Sequence, residues 1–469
     1  MLDRSLPVEE IVRQVVTRLR AQEQGASPAG DGENGIFARV EDAVCAAREA
    51  EKEMLKASMA ERAAMVAAMR RAAGAHIEEL ARLAVEETGM GRVEHKIIKN
   101  RLVVEKTPGV EDLATEAWSG DDGLTLLEMS PFGVIGAVTP STNPTETVIC
   151  NSIGMIAAGN TVVFSPHPGA KRTSLKAAAL MNQAVQEAGG PRYAICALAE
   201  PSLENSGALM RHPDVNLLVA TGGPGVVKAV LSSGKKAIGA GAGNPPAVVD
   251  DTADIEAAAE HIVAGAAFDN NLPCIAEKEV VVLSNVADYL IFNMEKAGAY
   301  RIKDPKVIDR LVKLAFTPDG KLNRKYVGRD AKVFLRDAGI EPPARDVPCL
   351  IMEVERDHPF VQEELMMPLL PIVRIDKIQE AMDFAVEVEH ANRHTAVMHS
   401  KNIDHLTYLA KAIKTTIFVK NGPSYAGIGV GGEGFTTFTI AGPTGEGLTS
   451  ARTFTRRRRC VLVDALSIR

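Results

Sequence analysis

Aromatic side chains are scarce in this chain of 469 residues, since they make up 4% of the sequence and include one tryptophan. Positive charge is not in excess either: 53 lysines and arginines stand against 60 aspartates and glutamates, for a net charge of −7. Proteins that hold nucleic acid use stacking aromatic rings and a basic surface, and an anionic membrane also attracts a basic field. The composition therefore argues against nucleic-acid and membrane partners.

Cysteine is also sparse, with six residues and no CxxC pair or Cys/His cluster. This argues against a disulfide framework and a zinc site, so we expect no metal and a reducing, cytoplasmic location. Charged residues such as Asp3 and Glu9 occupy the place where a signal peptide needs an apolar stretch. Residues 129–170 carry one charged side chain, Glu146, but Pro, Gly and Asn interrupt them repeatedly. That stretch predicts buried core rather than a membrane span.

Residues 1–24 form a distinct segment in which apolar residues recur at helical spacing between charged ones. Residues 25–36, rich in Gly, Ser, Pro and Asp, predict a flexible linker. An amphipathic helix on such a tether exposes an apolar stripe, and we expect it to bind a partner's groove or a shell. The alternative is a terminal helix that docks on its own chain.

Beyond the linker, the hydrophobic pattern alternates between strands and helices. Apolar runs indicate strands at 133–138, 161–164, 193–197, 215–220 and 247–249. Helical segments are expected near 145–158, 172–188, 202–211 and 224–233. This alternation predicts an α/β fold with a parallel sheet, whose ligands bind at the carboxyl ends of the strands. A second α/β set begins near residue 244 and runs to about 435.

Two short segments could carry chemistry. Cys274 follows Asn270-Asn-Leu-Pro and precedes a β-rich run, where an accessible thiol can act as a nucleophile. An inert core cysteine is the alternative. Asn143, in Thr139-Pro-Ser-Thr-Asn-Pro-Thr145, follows a strand and leads into a helix, so its amide could donate to an oxyanion. There the alternative is an Asx-type cap and turn.

Two glycine-rich segments allow close backbone approach. Ala220-Thr-Gly-Gly-Pro-Gly225 lies between a strand and a helix, where glycines let a pyrophosphate reach a helix N-terminus, although it is not a strict GxGxxG. Gly239-Ala-Gly-Ala-Gly-Asn-Pro-Pro246 also lets the backbone pass close to another group. The alternative for this second segment is a tight crossover between domains.

Together these four segments, in this order, resemble the aldehyde dehydrogenase superfamily over about residues 37–460. The resemblance implies a Rossmann-type nucleotide-binding domain, an α/β catalytic domain and a small β oligomerisation arm. It implies these boundaries: 37–121 and 133–243 for the domain that binds NAD and CoA, 244–435 for the catalytic domain, and 122–132 with 436–469 for the arm and tail.

The resemblance also implies roles for individual residues. Cys274 is the nucleophile, Asn143 and the Cys274 backbone N–H are the oxyanion donors, and Glu364 holds the nicotinamide ribose. The residues that the resemblance places along the nucleotide or CoA are Thr139, Pro140, Ser165, His167, Thr221, Gly222, Gly223, Gly225, Gly241 and Glu364. For His167 a structural role is an equal alternative, and for His394 and His399 it is the expected one.

Two departures from the superfamily are informative. Hydrolytic members carry a glutamate general base where this sequence has Ala240, so nothing there can activate water. The lysine expected to bind the adenosine ribose is replaced by Ser165. Both departures, together with Gly442-Pro-Thr-Gly-Glu-Gly447 near the end of the chain, resemble the CoA-acylating branch.

The head segment and linker add a resemblance to the propionaldehyde dehydrogenases of bacterial microcompartments. This implies oxidation of a short aldehyde such as propanal to its acyl-CoA, with NAD as hydride acceptor, CoA as cosubstrate and a shell protein as partner of residues 1–24. It also implies a homo-oligomer, a dimer or tetramer, inside a microcompartment. Two alternatives stay open: an acetylating acetaldehyde dehydrogenase of ethanolamine or choline breakdown, and a non-catalytic shell-associated protein that keeps the fold.

Overall fold

The computed structural model describes residues 32–468. The predicted targeting helix at 1–24, and most of the predicted linker, lie outside the described residues. Within the described range, no helix combines the length and apolar character needed to cross a membrane.

The described chain consists of helices and strands in alternation. The helices are α1 (Val40–Met54), α2 (Met59–Ala75), α3 (Ile77–Thr88), α4 (Val93–Lys106), α5 (Pro144–Ala157), α6 (Lys171–Glu187), α7 (Leu203–Arg211), α8 (Pro224–Leu231), α9 (Ile255–Ala267), α10 (Ser284–Lys296), α11 (Pro305–Ala315), α12 (Ala331–Asp337), α13 (Pro359–Gln362), α14 (Ile378–Val388) and α15 (Ile403–Ile413). The strands are β1 (Ile36–Phe37), β2 (Glu116–Gly120), β3 (Gly123–Pro131), β4 (Val134–Val138), β5 (Thr161–Ser165), β6 (Ile195–Leu198), β7 (Leu217–Thr221), β8 (Lys236–Ala240), β9 (Pro246–Val249), β10 (Glu279–Leu283), β11 (Tyr300–Arg301), β12 (Leu350–Glu353), β13 (Leu369–Ile375), β14 (Thr395–His399), β15 (Ile417–Lys420), β16 (Ile440–Ala441), β17 (Gly447–Leu448) and β18 (Thr455–Val463).

The first sheet has six parallel strands in the order β1-β6-β5-β4-β7-β8. From β4 the chain proceeds to β5 and β6 on one side of the sheet, and it then crosses to β7 and β8 on the other side. The order therefore reverses between β4 and β7, and a crevice opens outside the carboxyl ends of these two strands. The predicted α/β class is confirmed by this sheet.

Helix α5 explains the stretch of the sequence with almost no charge. Every residue of α5 is buried, because the helix packs among α3, α4, α6 and the first sheet. A helix that is apolar nearly all round belongs inside a protein. The prediction of buried core for residues 129–170 is confirmed for this helix.

The second sheet has seven parallel strands in the order β11-β12-β13-β10-β9-β14-β15. The chain leaves the carboxyl end of β8 at Ala240 and enters the amino end of β9 at Pro246. That short link brings the carboxyl edge of the first sheet next to the amino edge of the second. Segments that lead into β9, β10, β13 and β14 can therefore face segments that follow β4, β7 and β8.

A separate antiparallel sheet, in the order β18-β3-β2, forms an arm. Strand β18 pairs with β3 over nine residues, from Thr455 opposite Pro131 to Val463 opposite Gly123. Strands β3 and β18 fall within the residues predicted for the arm and tail, 122–132 and 436–469, whereas β2 lies outside them. The domain boundaries given above stay a prediction.

Candidate active site

Cys274 lies in the turn that leads into β10, at the amino edge of the second sheet. Its side chain is partly exposed, whereas Cys150, Cys196 and Cys349 are buried. The remaining two cysteines, Cys45 and Cys460, are exposed on α1 and on the arm. Cys274 is therefore the cysteine placed at the junction between the two sheets.

The turn before Cys274 has an unusual backbone. Asp269, Asn270 and Asn271 all have positive φ angles, of 51°, 56° and 66°. Asp and Asn tolerate this left-handed region better than most residues, because their short side chains can bond nearby backbone. Here the Asn271 side chain donates to the carbonyls of Ala266 and Glu277, at 2.8 and 2.9 Å. The asparagines of the motif thus hold the turn that presents the thiol.

Lys278, which follows Cys274 in the chain, hydrogen-bonds back to this turn. Its ammonium donates to the backbone carbonyl of Asn271 at 2.9 Å and to its side-chain oxygen at 2.7 Å. Burial, followed by the charge of Glu364, raises the pKa of the Cys274 thiol to about 12. Lys278, the Cys274 backbone N–H and Lys99 act in the opposite direction. These donors and positive charges are what favours the thiolate.

Asn143 caps the start of α5 and is buried, with 6% of its surface exposed. No side-chain capping bond is formed, so the simple cap expected as the alternative is absent at this side chain. Its Oδ1 accepts from the Lys99 ammonium at 2.6 Å, and its Nδ2 donates to Thr142 Oγ1 at 3.2 Å. The amide nitrogen is the end of the group that does not face Lys99.

A buried ion cluster lies behind Asn143, formed by Lys96, Lys99, Glu146 and Asp269, all of which are inaccessible to solvent. Both lysines contact Asp269 Oδ2, at 3.0 Å from Lys96 and 2.6 Å from Lys99. Lys99 also lies 3.0 Å from Glu146 Oε1. Two positive and two negative groups compensate one another, as buried charges require.

Gly243 lies next to three groups of the site: Cys274, His394 and Glu364. A Cβ at this position would lie 2.6 Å from the Cys274 carbonyl oxygen and 2.9 Å from the His394 ring, so only glycine fits. The Gly243 backbone N–H donates to Glu364. Burial raises the pKa of Glu364, and Lys278 opposes that shift. Glu364 therefore lies at the same junction as Cys274.

His394 is buried beside this point. Its Nδ1 is 2.9 Å from Thr395 Oγ1, while its Nε2 has no hydrogen-bond partner. Burial, assisted by the charge of Lys278, lowers the pKa of His394 to about 3. The imidazole is therefore neutral near pH 7, and its Nε2 has no hydrogen-bond partner.

The glycines after β7 form an open cradle at the start of α8. A Cβ on Gly223 or Gly225 would meet nothing within 4 Å, so both face free space at a helix N-terminus. That geometry fits a pyrophosphate, because helix N-termini favour anions and present backbone N–H groups to them. A groove of about 320 Å³ continues along α8, and Lys228, Gly241, Asn392 and Pro443 are among its lining residues.

The other predicted nucleotide residues lie around the first sheet. Thr139 is buried at the end of β4, with an unpartnered Oγ1, and Pro140 follows it. Thr221 Oγ1 contacts Thr439 Oγ1 at 2.8 Å. Ser165 is buried, and its hydroxyl lies 2.9 Å from that of Ser206.

His167 is half-buried, and its Nδ1 accepts the backbone N–H of Gly169 at 3.0 Å. Burial lowers the pKa of His167. The structure thus gives His167 a local capping contact. The contacts of Thr139, Pro140, Ser165, His167 and Thr221 with a nucleotide stay predictions.

Ala240 ends β8, paired with Thr221 of β7, and is 3% exposed. Its carbonyl oxygen accepts the backbone N–H of Gly222 at 3.0 Å, which joins the two glycine-rich segments. A methyl group at this position offers no proton acceptor.

Nothing in the sequence pointed to Lys96, Lys99 or Lys278, and for His394 a structural role was the expected one. The helical spacing of Arg92, His95, Lys96 and Lys99 was a signal that they share a face of one helix. A basic face ordinarily predicts contact with solvent, and nothing local indicates its burial. In the range that the structure describes, no three His, Cys, Asp or Glu side chains are grouped to hold a metal ion.

A partly exposed cysteine and a buried asparagine amide at the junction of two parallel α/β units agree with the arrangement that the resemblance to the aldehyde dehydrogenase superfamily predicts. The aldehyde dehydrogenase family model matches residues 26–436, and the chain belongs to this family.

The chain is 48% identical over 462 residues to a propanal dehydrogenase (CoA-propanoylating) of Salmonella typhimurium, covering 98% of this chain and 99% of that one. It is also 48% identical over 466 residues to an acetylating acetaldehyde dehydrogenase of the same organism, at the same two coverages of 98% and 99%.

Solved structures of propionaldehyde dehydrogenases are also similar to this chain. A propionaldehyde dehydrogenase of Rhodopseudomonas palustris, with bound CoA and an acylated cysteine, superposes with a TM-score of 0.91 and 59% identity, covering 93% of this chain and 100% of that one. A propionaldehyde dehydrogenase from the fucose utilisation microcompartment of Clostridium phytofermentans has a TM-score of 0.91 and 57% identity, at 93% and 100% coverage.

Proposed function

We propose that this protein oxidises a short aliphatic aldehyde, propanal, to propionyl-CoA with reduction of NAD⁺. The observation that carries the proposal is the placement of the Cys274 thiol at the junction of the two sheets, where the charges of Lys278 and Lys99 lower its pKa, with Ala240 where hydrolytic members have a base. The relatives named propanal dehydrogenase and CoA-propanoylating support the choice of substrate and acceptor.

In the first step the Cys274 thiolate attacks the aldehyde carbonyl, forming a carbon–sulfur bond and an oxyanion. Asn143 Nδ2 and the Cys274 backbone N–H donate to this oxyanion. Loss of the aldehyde hydrogen as hydride then converts the thiohemiacetal to a thioester on Cys274. The thiol proton is released to solvent before the attack, because the Cys274 side chain is partly exposed and a pKa of about 3 makes His394 too weak a base to accept it.

The thioester on Cys274 survives until a thiol arrives. Ala240 cannot activate water, so the acyl group is transferred to a thiol rather than released as free acid. NAD⁺ supplies the hydride acceptor and CoA the thiol that removes the acyl group. Gly223 and Gly225 leave room for a pyrophosphate at the start of α8, and both NAD and CoA contain one.

The proposal is tested by following NADH formation from two- to four-carbon aldehydes with and without CoA. We expect CoA-dependent turnover, the highest kcat/KM for propanal and no turnover by Cys274→Ala. NADH formation by Cys274→Ala would contradict the assignment of the nucleophile. A folded wild-type protein without turnover would favour the non-catalytic, shell-associated alternative.

Acetaldehyde is the second candidate substrate, because an acetylating relative has the same 48% identity as the propanoylating one. The two aldehydes differ by one methylene, which changes discrimination by about 1–3 kcal/mol in an apolar pocket. A higher kcat/KM for acetaldehyde than for propanal would replace the preferred substrate and leave the mechanism intact.

The replacement Ala240→Glu restores a carboxylate at the position of the hydrolytic base. We expect it to release free propionate without CoA, because a glutamate there can activate water against the thioester on Cys274. Acid release is measured by chromatography, with Ala240→Gln as the control of matched size. Unchanged thiolysis and no hydrolysis in Ala240→Glu would contradict the role given to Ala240.

Residues 1–24 are proposed to target the enzyme to the shell of a bacterial microcompartment, in keeping with the microcompartment origin of one relative. A fusion of residues 1–24 to a fluorescent protein should then localise to shells in a shell-forming cell. A diffuse signal there would reject targeting. A version in which Val12 and Leu19 are replaced by Asp is the control, because it removes part of the apolar stripe.

A further inference from the structure

One ammonium group, Lys99 Nζ, lies at the centre of the buried ion cluster. It contacts three acceptors: Asn143 Oδ1 at 2.6 Å, Asp269 Oδ2 at 2.6 Å and Glu146 Oε1 at 3.0 Å. A lysine ammonium has three protons and no acceptor. Its contacts with Asn143 and Asp269 are hydrogen bonds, and its contact with Glu146 is an ion pair.

This contact fixes which way the Asn143 amide faces. Because Lys99 can only donate, the oxygen of the amide must point to it and the nitrogen must point away. A rotated amide would set its NH₂ group against the ammonium. Asn143 Nδ2 then has Thr142 Oγ1 as a partner, at 3.2 Å, and a proton left for an oxyanion.

The same ammonium also holds the nucleophile's turn. Asp269 begins the run of left-handed residues five positions before Cys274. Its carboxylate also accepts the backbone N–H of Arg92 at 2.8 Å, and its own N–H donates to His95 Nδ1 at 2.9 Å. Helix α4 therefore binds the turn at several points, and Lys99 joins it to Asn143 through a single atom.

The charge needed for this arrangement is stable. Burial opposes the ammonium form of Lys99, but the facing carboxylates of Asp269 and Glu146 raise its pKa above the ordinary value. Lys96 lacks this second carboxylate contact and has a lowered pKa, owing first to burial. The two buried lysines are therefore not equivalent, because the pKa is raised for the one that contacts Asn143 and lowered for the other.

We propose that Lys99 is a positioning residue that turns the Asn143 amide nitrogen towards the oxyanion and fixes its place relative to the turn of Cys274. The proposal rests on the proposed function only for the roles of Cys274 and Asn143. Lys99 acts through Asn143 and Asp269, because its ammonium is buried and bonds to their oxygens.

The test compares two reactions of the same thiol in the full-length protein, without nucleotide or CoA. With p-nitrophenyl acetate, the sulfur attacks the ester carbonyl, passes through an oxyanion and expels p-nitrophenolate. With iodoacetamide, the sulfur displaces iodide from an sp³ carbon, and no oxyanion forms. The ratio of the two rates removes any change in thiolate fraction caused by loss of the Lys99 charge.

We expect Lys99→Met to lower this ratio by about 10- to 100-fold, somewhat less than the full loss of an oxyanion donor. Lys96→Met is the matched control, because it also removes a buried lysine from Asp269 but leaves the Lys99–Asn143 contact. Its ratio should stay within about twofold of the wild-type value, the range expected when two sites act independently.

A double-mutant cycle separates positioning from a general effect on the fold. In the Asn143→Ala background, Lys99→Met should change the ratio by no more than about twofold. Full multiplication of the two single effects would overturn the proposal, as would equal ratios in Lys99→Met and Lys96→Met. If Lys99→Met does not fold, Lys99→Gln enters the same cycle under the same criteria.

Failure of the proposed function gives a different pattern. A protein whose Cys274 follows this expected pattern but which forms no NADH from propanal and CoA would reject the function and keep the inference. A protein that turns over propanal with an unchanged ratio in Lys99→Met would reject the inference and keep the function.

Discussion

At the scale of single residues, the reactivity of Cys274 is a balance of opposing charges. Burial and the Glu364 carboxylate raise the pKa of the thiol, while Lys278 and Lys99 act against them. Glu364 is thus the charged side chain that disfavours the thiolate, although the resemblance to the family predicts that Glu364 binds the nicotinamide ribose. A single residue can bind a cofactor and restrain a nucleophile, because charge acts without contact.

Glu364→Gln should lower the pKa of Cys274, since it removes a negative charge that disfavours the thiolate. The measurement is the pH dependence of alkylation by iodoacetamide in the nucleotide-free protein, where the rate at a fixed pH below 12 should rise several-fold. Glu363→Gln is the matched control, because the neighbouring side chain is exposed. An unchanged or raised pKa in Glu364→Gln would contradict the electrostatic account.

At the scale of elements, the arm is the part of the fold that lacks a covering layer. Nearly every residue of β18 is exposed, and no strand of the described chain pairs with its outer edge. The strand register places Trp118, Thr125 and Val461 in one row, so Trp118 and Val461 share a face, with 51% and 54% of their surfaces exposed. A long unpaired edge and an apolar face are features that proteins usually cover with a partner.

Removal of residues 455–469 should therefore lower the oligomeric state, because it deletes β18 and the edge that it presents. Light scattering measures the mass of the wild-type protein and of the truncated chain, with a truncation after Val463 as the control that keeps the strand. We expect the wild-type protein and the control to be dimers or tetramers and the longer truncation to be smaller. An identical mass for all three would contradict the role of the arm.

At the scale of the whole molecule, the two sheets bury histidines along with the site. His394 directly precedes β14 and His399 is its last residue, and burial lowers the pKa of each to about 3. In the unfolded chain both titrate near 6.5. The unfolded state therefore binds more protons than the folded state between these values, and protonation favours unfolding.

The stability of the protein should accordingly fall as pH decreases from 6.5 towards 3, by about 1.4 kcal/mol per pH unit for each histidine. Above pH 6.5 their contribution is fully present. His399→Gln should flatten this dependence between pH 6 and 4, as measured by thermal unfolding followed by circular dichroism. His76→Gln, at a partly exposed position, is the control. Equal slopes for His399→Gln and the wild-type protein would exclude His399 as a source of the acid sensitivity.

Much of the fold could be predicted because its strands are short apolar runs with distinct neighbours. The runs at 161–164 and 247–249 correspond to β5 and β9, and the helix expected near 172–188 corresponds to α6. Strand β8 was not predicted, since its small residues Gly239 and Ala240 belong equally to a glycine-rich loop. Only pairing with β7 makes this segment a strand.

The site was predictable to the extent that its chemistry lies in short motifs. Cys274 and Asn143 lie in short motifs rich in turn-forming residues, so the local sequence alone marks both positions. Lys99 has no such signal, because its burial follows from the packing of α4 against a turn 170 positions away in sequence. Only the structure distinguishes a buried ammonium that holds an active-site amide from an ordinary solvated lysine.

The sequence by itself determined the family and predicted the nucleophile, the amide donor and the missing base at Ala240, since each depends on residue types at fixed spacing. The tertiary structure decided how these residues are combined. The carboxyl edge of one parallel sheet meets the amino edge of another, and this brings Asn143, Glu364, His394 and Cys274 to one junction. It also buries Lys99 where two carboxylates can compensate its charge. Spacing along a chain fixes local geometry, whereas burial and charge compensation depend on contacts between distant segments.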